Sequence, residues 1–262
     1  MSYRSISLEV ANGLARLTLN QPELGNPFNA EFCDEICKVG NELAGRKDLR
    51  AILLTANGKF FSVGGDIRMF VQQLDTLPDS IRGWTAGLHM GIARLQRLDA
   101  PIVAAVHATC MGGGVALIAG CDVVLAGRGA RFGAAYPQIG YSCDAGASFA
   151  LASRIGIARA RRFMLFNEML EAQTAADIGL VDHLVDDDKL MAEAERMAVQ
   201  LSQGPTRAYG EIRRLINKAF RQPLETQLED EAHALAGVAG SADAREGITA
   251  FAQKRKAEFQ GR

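Results

Sequence analysis

Apolar and polar residues alternate along ISLEVANGLARLTLN, on both sides of an Asn-Gly pair. Alternation with a period of two around Asn-Gly predicts a β-hairpin. Helical spacing of apolar residues follows in NAEFCDEICKVGNELAGR, with Asn29 as the expected N-cap, and the apolar run RAILLTAN predicts a buried strand. The chain therefore opens with a strand-strand-helix-strand unit.

The same alternation of strands and helices recurs further along the chain. DSIRGWTAGLHMGIARLQRLDA predicts a helix, PIVAAVHA a strand, GGGVALIAGC the start of a helix and DVVLAG another strand. Gly204 and Pro205 end the helix predicted in DKLMAEAERMAVQLSQ, and only helical patterns follow. We expect an α/β core over residues 1–203 and a helical region over 204–262, whose apolar stripes pack on the core or on another subunit.

Composition and charge narrow the functional classes. The 262 residues are 48% hydrophobic, enough for one large domain, and 29 Lys and Arg nearly balance 30 Asp and Glu. This balance argues against nucleic acid or an anionic membrane as a partner. The short basic cluster Lys254–Lys256 indicates a solvated helix face or a contact with phosphate. No signal peptide or membrane span is indicated, so we expect a cytoplasmic protein.

Cysteine and histidine usage gives no sign of a metal site. The five cysteines are an odd, scattered set, which does not form a disulfide framework. Cys33 and Cys37 share a helix face but have no Cys or His partners nearby in the sequence, so buried thiols are favoured over zinc ligands. The four histidines are not spaced as metal ligands, and we expect no metal.

Two glycine-rich segments are the strongest candidates for chemistry. Gly112–Gly114 lie between a predicted strand and a predicted helix, and GKFFSVGGDI follows a buried strand. Glycines there leave backbone N–H groups uncovered, and a helix N-terminus adds positive potential. The phosphate-binding patterns are absent. Close helix-strand packing explains one such segment, but two on neighbouring strands can supply the paired donors of an oxyanion hole.

These segments resemble those of the crotonase (enoyl-CoA hydratase/isomerase) superfamily. GKFFSVGGDI is similar to the family's FSAGxDL loop, and PIVAAVHATCMGGGVALIAGCDVVLAG to its KPVIAAVNGxAxGGGxxLALACDxxxA segment. NQPELGNPFN, ARFGAAYPQIG and AADIGLVDHLV extend the likeness over essentially the whole chain. The resemblance implies a spiral of β-β-α units with a helical C-terminal trimerisation region.

The resemblance also implies a site for an acyl-CoA. The amides of Gly65 and Gly113 would hold the thioester oxygen as it becomes an enolate. The adenine of CoA would lie near the backbone of the segment that includes Val63, Asp66 and Ile67. CoA is part of the substrate, and no separate cofactor is implied.

By the same resemblance, a second subunit completes the CoA site. The CoA phosphates would lie near basic side chains such as Lys254 of an adjoining subunit, with Phe251 beside it. The expected assembly is a homotrimer, or a hexamer made of two trimers.

The expected reaction follows from one carboxylate. Hydratases of the family use two glutamates, and the matching positions here are Ala116 and Tyr136, so hydration is not expected. Asp144, in IGYSCDAGASFAL, falls in the catalytic loop of the family's isomerases, where a single carboxylate can move a proton from C2 to C4 of a 3-enoyl thioester. Asp144 could also cap a helix beginning near Ala145.

Three functions remain open from the sequence. The C-terminal stretch resembles that of the ring-epoxide isomerases of phenylacetate degradation, which favours an isomerase. His89 and Asp144 occupy the positions of the water-activating His and nucleophilic Asp of 4-chlorobenzoyl-CoA dehalogenases. A chain without both hydratase glutamates could also bind acyl-CoA without turning it over.

Overall fold

A computed structural model describes residues 3–219 and 221–262. The strands are β1 Ile6–Ala11, β2 Leu14–Leu19, β3 Pro27–Phe28, β4 Ala51–Ala56, β5 Gly64–Gly65, β6 Ile102–Val106, β7 Cys110–Met111, β8 Val123–Gly127, β9 Arg131–Gly133, β10 Met169–Glu171 and β11 His183–Val185. The α-helices are α1 Ala30–Ala44, α2 Ile67–Gln72, α3 Leu77–Arg97, α4 Gly113–Ala119, α5 Ala147–Ile155, α6 Ile157–Leu165, α7 Ala172–Asp177, α8 Leu190–Ser202, α9 Thr206–Lys218, α10 Leu224–Ala239 and α11 Ala242–Ala252.

The strands form one large sheet and two small ones. The six-stranded sheet has the order β1-β2-β4-β6-β8-β11, and the small sheets pair β3 with β5 and β9 with both β7 and β10. In the large sheet only β1 and β2 are antiparallel. Successive units place their first strand in the large sheet and their second in a small sheet before a helix follows. This arrangement confirms the expected spiral of β-β-α units.

Local sequence signals explain the opening unit. Asn12 and Gly13 both have positive φ, 52° and 80°, and they form the tight turn between β1 and β2. The side chain of Asn29 accepts a hydrogen bond from Phe32 N at 2.9 Å, which satisfies one of the free amides at the start of α1. The predicted hairpin and N-cap are both confirmed.

The large sheet separates two apolar layers. Alternate residues of the strands face α8, where Leu53, Val103 and Leu125 pack with Leu190 and Ala194. The opposite face belongs to the main core, which also contains buried residues of α1, α3 and α4. Because both faces are covered, the parallel strands are continuous apolar runs rather than alternating ones. Within the described ranges, no helix is both long enough and apolar enough to span a lipid bilayer.

Among the described residues, the region after residue 204 contains the helices α9 to α11. Arg213 of α9 is almost fully buried and pairs with Asp122 at 2.8 Å, which ties this region to the core. The last ten residues are not helical, because α11 ends at Ala252. The expectation that Lys254–Lys256 form a helix face is therefore wrong: this exposed cluster lies beyond the helix, and Lys254 itself has a φ of 54°.

Candidate active site

The two glycine loops lie against each other where β4 and β6 end. Met111 N donates to Ser62 O at 2.9 Å, and Ser62 also forms a parallel bridge with Cys110. A Cβ on Gly64 would lie 3.1 Å from Met111 O and 3.4 Å from Gly112 Cα, and Gly64 has a φ of 79°. Only glycine permits this approach without strain. The loops that carry the two candidate oxyanion donors are therefore neighbours.

Packing also requires glycine at the start of α4. A Cβ on Gly113 would lie 2.6 Å from Cδ2 of the buried Phe28, and one on Gly114 would lie 2.7 Å from the Cβ of Ser62. Gly113 is the first residue of α4, so its N–H has no acceptor within the helix. Close packing therefore explains the glycines of this segment, and the N–H of Gly113 is one that α4 leaves without an acceptor of its own.

A short path of contacts connects the glycine loops to Asp144. Gly112 N donates to Gly133 O at 2.9 Å, and a Cβ on Gly112 would lie 4.0 Å from the Cβ of Ala135. The next residue, Tyr136, begins a 3-10 turn, and its hydroxyl donates to Oδ1 of Asp144 at 2.9 Å. Burial, with the charge of Asp144 as a further cause, raises the pKa of Tyr136 far above its ordinary value. The phenol therefore stays protonated and remains a donor.

The alternative role of Asp144 as a helix cap is wrong. α5 begins at Ala147, its N-cap residue is Gly146, and no side chain caps it. The backbone explains the difference, because Ala145 and Gly146 both adopt positive φ, 52° and 80°, and place a turn between Asp144 and the helix. The carboxylate is only partly buried and is directed to Tyr136 instead.

His89 lies on the other side of the same loop. Ala145 N donates to Nε2 of His89 at 3.2 Å, which brings α3 into contact with the residue after Asp144. The neighbouring Leu88 is buried, whereas His89 is exposed. The fold therefore brings His89 and Asp144 together, as the sequence comparison with dehalogenases implies, but through a backbone amide.

A buried thiol also lies near the carboxylate. Burial raises the pKa of Cys33 to about 12, and the charge of Asp144 contributes to the rise.

Ala116, at one of the two hydratase positions, is buried on α4. With Tyr136 at the other position, neither supplies a carboxylate. Among residues 3–219 and 221–262, no group of three or more His, Cys, Asp and Glu side chains is arranged to hold a metal ion.

The residues expected to contact CoA fall in two places. Val63, Asp66 and Ile67 lie on the first glycine loop and the start of α2, where the carboxylate of Asp66 caps the helix by accepting from Met69 N at 3.2 Å. Phe251 lies in the last turn of α11 and Lys254 just after the helix, and both are exposed. Within the described residues of one chain, no hydrogen bond joins the α11 pair to the glycine loops.

The structure contains an aromatic cluster beside Gly65 that the sequence did not predict. The ring of Phe70 stacks on Trp84 with centroids 6.1 Å apart and on Tyr141 at 5.8 Å. Its Cζ lies 2.9 Å from where a Cβ on Gly65 would be. The three rings come from α2, α3 and the loop before α5, so no local spacing pattern could indicate their contact.

Comparisons with known proteins agree with the fold. The family model described as enoyl-CoA hydratase/isomerase matches residues 9–262. A 1,2-epoxyphenylacetyl-CoA isomerase of Escherichia coli (strain K12) is 33% identical over 254 residues, 97% of each chain. A trans-2-decenoyl-[acyl-carrier-protein] isomerase of Streptococcus mutans is 31% identical over the full length of both chains. The crystal structure of an enoyl-CoA hydratase from Polaromonas sp. JS666 superimposes with a TM-score of 0.90 at 29% identity, covering 97% of this chain and 99% of that one.

Proposed function

Because the chain belongs to the enoyl-CoA hydratase/isomerase family, we propose that it is an isomerase of acyl-CoA thioesters in which Asp144 is the single proton carrier. The observation that carries this proposal is the hydrogen bond from the Tyr136 hydroxyl to Asp144 Oδ1. It occupies one carboxylate oxygen and leaves Oδ2 for the substrate. Family relatives include hydratases as well as isomerases, so the choice between them depends on the residues of this site.

The amides of Gly65 and Gly113 form the proposed oxyanion hole. The contact between their loops supports this assignment. A thioester oxygen gains negative charge when a proton leaves C2, and preorganised N–H donors stabilise that charge more than they stabilise the neutral ground state. One such donor is worth about 3 kcal/mol to the transition state.

Asp144 then moves one proton. Its Oδ2 takes the proton from C2 of a 3-enoyl thioester, and the electrons of the C2–H bond delocalise to the thioester oxygen as a dienolate. The same carboxyl group returns the proton to C4, the C3=C4 double bond becomes C2=C3, and the carbonyl re-forms. No water or other reactant is consumed, so one carboxylate is sufficient.

Hydration is disfavoured by the same residues. Addition of water to a 2-enoyl thioester needs one group to activate water and another to protonate C2. Ala116 has no ionisable group, and the raised pKa of Tyr136 keeps its phenol protonated and unable to act as a base. We therefore propose that hydration is at most a slow side reaction.

A dehalogenase-like hydrolase is the second candidate. The proximity of His89 to the Asp144 loop favours it, because such an enzyme needs a nucleophilic carboxylate and a base for water. Against it, Nε2 of His89 already accepts a backbone hydrogen bond. A homologue that binds acyl-CoA without turnover is the third candidate.

We further propose that CoA binds along the backbone of Val63, Asp66 and Ile67, and that Phe251 and Lys254 of an adjoining copy complete the site. The exposed large apolar side chains of α10 and α11 support association into a trimer or a pair of trimers, because a solvated helix seldom carries so many. They are Leu224, Leu228, Leu235, Ile248 and Phe251, between 55% and 87% exposed.

One incubation separates the three functions. The purified protein is incubated separately with each of four esters: 3-hexenoyl-CoA, 2-hexenoyl-CoA, ring-1,2-epoxyphenylacetyl-CoA and 4-chlorobenzoyl-CoA. The products are followed by chromatography and mass spectrometry. Conversion of a 3-enoyl or ring-epoxide ester to an isomer of equal mass supports the isomerase. Addition of water (about 18 Da) to the 2-enoyl ester as the main reaction, release of chloride, or binding without any conversion would each contradict it, since isomerisation leaves the mass unchanged.

A further inference from the structure

The loop that carries Asp144 is held from two sides by side chains that need not touch the substrate. Tyr136 binds the carboxylate itself at 2.9 Å. His89 binds the next backbone amide, that of Ala145, at 3.2 Å. These two contacts come from different elements, a 3-10 turn and α3.

The backbone between the two contacts has an unfavourable conformation. Ala145 has a φ of 52°, a left-handed value that a residue with a Cβ adopts only when its surroundings hold it there. The hydrogen bond from its N–H to His89 is one such restraint. Because Asp144 directly precedes Ala145, the direction of the carboxylate depends on this conformation.

The hydrogen bond from Ala145 N–H also fixes which nitrogen of His89 carries a hydrogen. An imidazole nitrogen that accepts a hydrogen bond from a backbone N–H must be unprotonated, so the ring in this arrangement is neutral and carries its hydrogen on Nδ1. With its lone pair at Nε2 engaged, that nitrogen is not available to take a proton from water.

We infer that His89 and Tyr136 are positioning residues, which act through the Ala145 amide and through Oδ1 to present Oδ2 of Asp144 to the substrate. This inference rests on the proposed isomerase function for its kinetic consequences. The tautomer of His89 and its bond to Ala145 are properties of the free protein, and they can be tested without any turnover.

The first test is nuclear magnetic resonance of the full chain, labelled with 15N at histidine and alanine, without substrate. His89 is assigned by comparison with His89→Gln. We expect a hydrogen on Nδ1 and an unprotonated Nε2, together with slower hydrogen exchange at Ala145 N–H than in His89→Ala. A hydrogen on Nε2, or equal exchange in both proteins, would overturn the contact whatever the protein catalyses.

The second test is kinetic. Gln at position 89 can place an acceptor oxygen near the position of Nε2, whereas Ala cannot. We expect double-bond migration to fall about 10-fold in kcat for His89→Ala and to stay within about 3-fold of wild type for His89→Gln, as expected for loss or retention of one neutral hydrogen bond. His233→Ala is the control, because His233 lies on α10, where it pairs with Glu229.

Tyr136→Phe completes the series. Loss of a hydrogen bond to a charged group should lower kcat by about 10- to 100-fold. A phenol that acts only through Oδ1 of Asp144 should leave KM changed by less than about 2-fold. Equal large losses in His89→Ala and His89→Gln would show that His89 acts as a base and would refute the inference. Absence of isomerisation by the wild-type protein would instead refute the proposed function, and the exchange experiment would still decide the contact.

Discussion

Substitution of Gly65 by Pro and by Ala separates the amide of this residue from its packing. Both replacements add a Cβ, which would meet the Cζ of Phe70 at 2.9 Å. That ring must shift in both variants, so the two share the cost of the added Cβ. Only Pro removes the N–H group, although it also fixes φ. Where both variants keep the wild-type fold, the ratio of their activities reports the loss of the donor.

The expected magnitude follows from the number of donors. The proposed oxyanion hole has two amides, and loss of one donor costs about 10²- to 10³-fold in kcat in well-studied oxyanion holes. We expect the kcat of Gly65→Ala to remain within about 10-fold of wild type, because repacking around one added methyl group costs about 1 kcal/mol. The kcat of Gly65→Pro should be about 10²- to 10³-fold lower than that of Gly65→Ala.

The assay is conversion of 3-hexenoyl-CoA to 2-hexenoyl-CoA at saturating substrate, with circular dichroism and thermal unfolding of each variant as controls for the fold. Gly113 is a poorer site for this test, since any Cβ there would lie 2.6 Å from a ring atom of the buried Phe28. Equal activities of folded Gly65→Pro and Gly65→Ala would refute the role of the Gly65 amide.

Three further predictions concern the reaction, the thiols and the C-terminal tail. Hydration of 2-hexenoyl-CoA should be far slower than the ~10 per second typical of enzymes, and a rate of that order would contradict the argument from the missing carboxylates. At pH 8 a thiol reagent should modify the partly exposed Cys37 and Cys143 before the other cysteines, since burial raises the pKa of both Cys33 and Cys121 to about 12. Peptide mapping by mass spectrometry would show the order of modification, and early modification of Cys33 would contradict the prediction. A hydrogen bond from Arg255, with one from the backbone, lowers the pKa of Glu246 from 4.5 to about 2. The Tm of wild type should therefore exceed that of Glu246→Gln by its full amount above pH 4.5, and the difference should disappear as the pH falls to about 2. A Tm difference that does not change with pH would refute this ion pair.

Local signals predicted most of the fold. The Asn12-Gly13 turn, the Asn29 cap and the start of α4 at the glycine run are confirmed, because each depends on a few neighbouring residues whose conformational preferences are strong. The adjacency of the two glycine loops also agrees with expectation, since parallel strands that are neighbours in a sheet end at the same edge.

The details around Asp144 could not be predicted in this way. Ala135 and Ala145 adopt positive φ without being Gly or Asn, so turn rules give no signal for either. The contact between His89 and Ala145 joins residues 56 apart and exists only because α3 packs beside the loop. Sequence reasoning therefore named candidate groups that the fold brings close together, but it did not predict the hydrogen bonds between them.

The rate of double-bond migration in wild type and in Asp144→Asn tests the central claim most directly. Asn has the shape of Asp, and its side-chain oxygen can still accept the hydrogen bond that Tyr136 donates to Oδ1 at 2.9 Å, so the loop should keep its conformation while the base is lost. Conversion of 3-hexenoyl-CoA in this variant should fall by about 10²- to 10⁴-fold, the usual contribution of a general base. If folded Asp144→Asn converts 3-hexenoyl-CoA within about 3-fold of the wild-type rate, a loss far smaller than a general base contributes, Asp144 does not carry the proton.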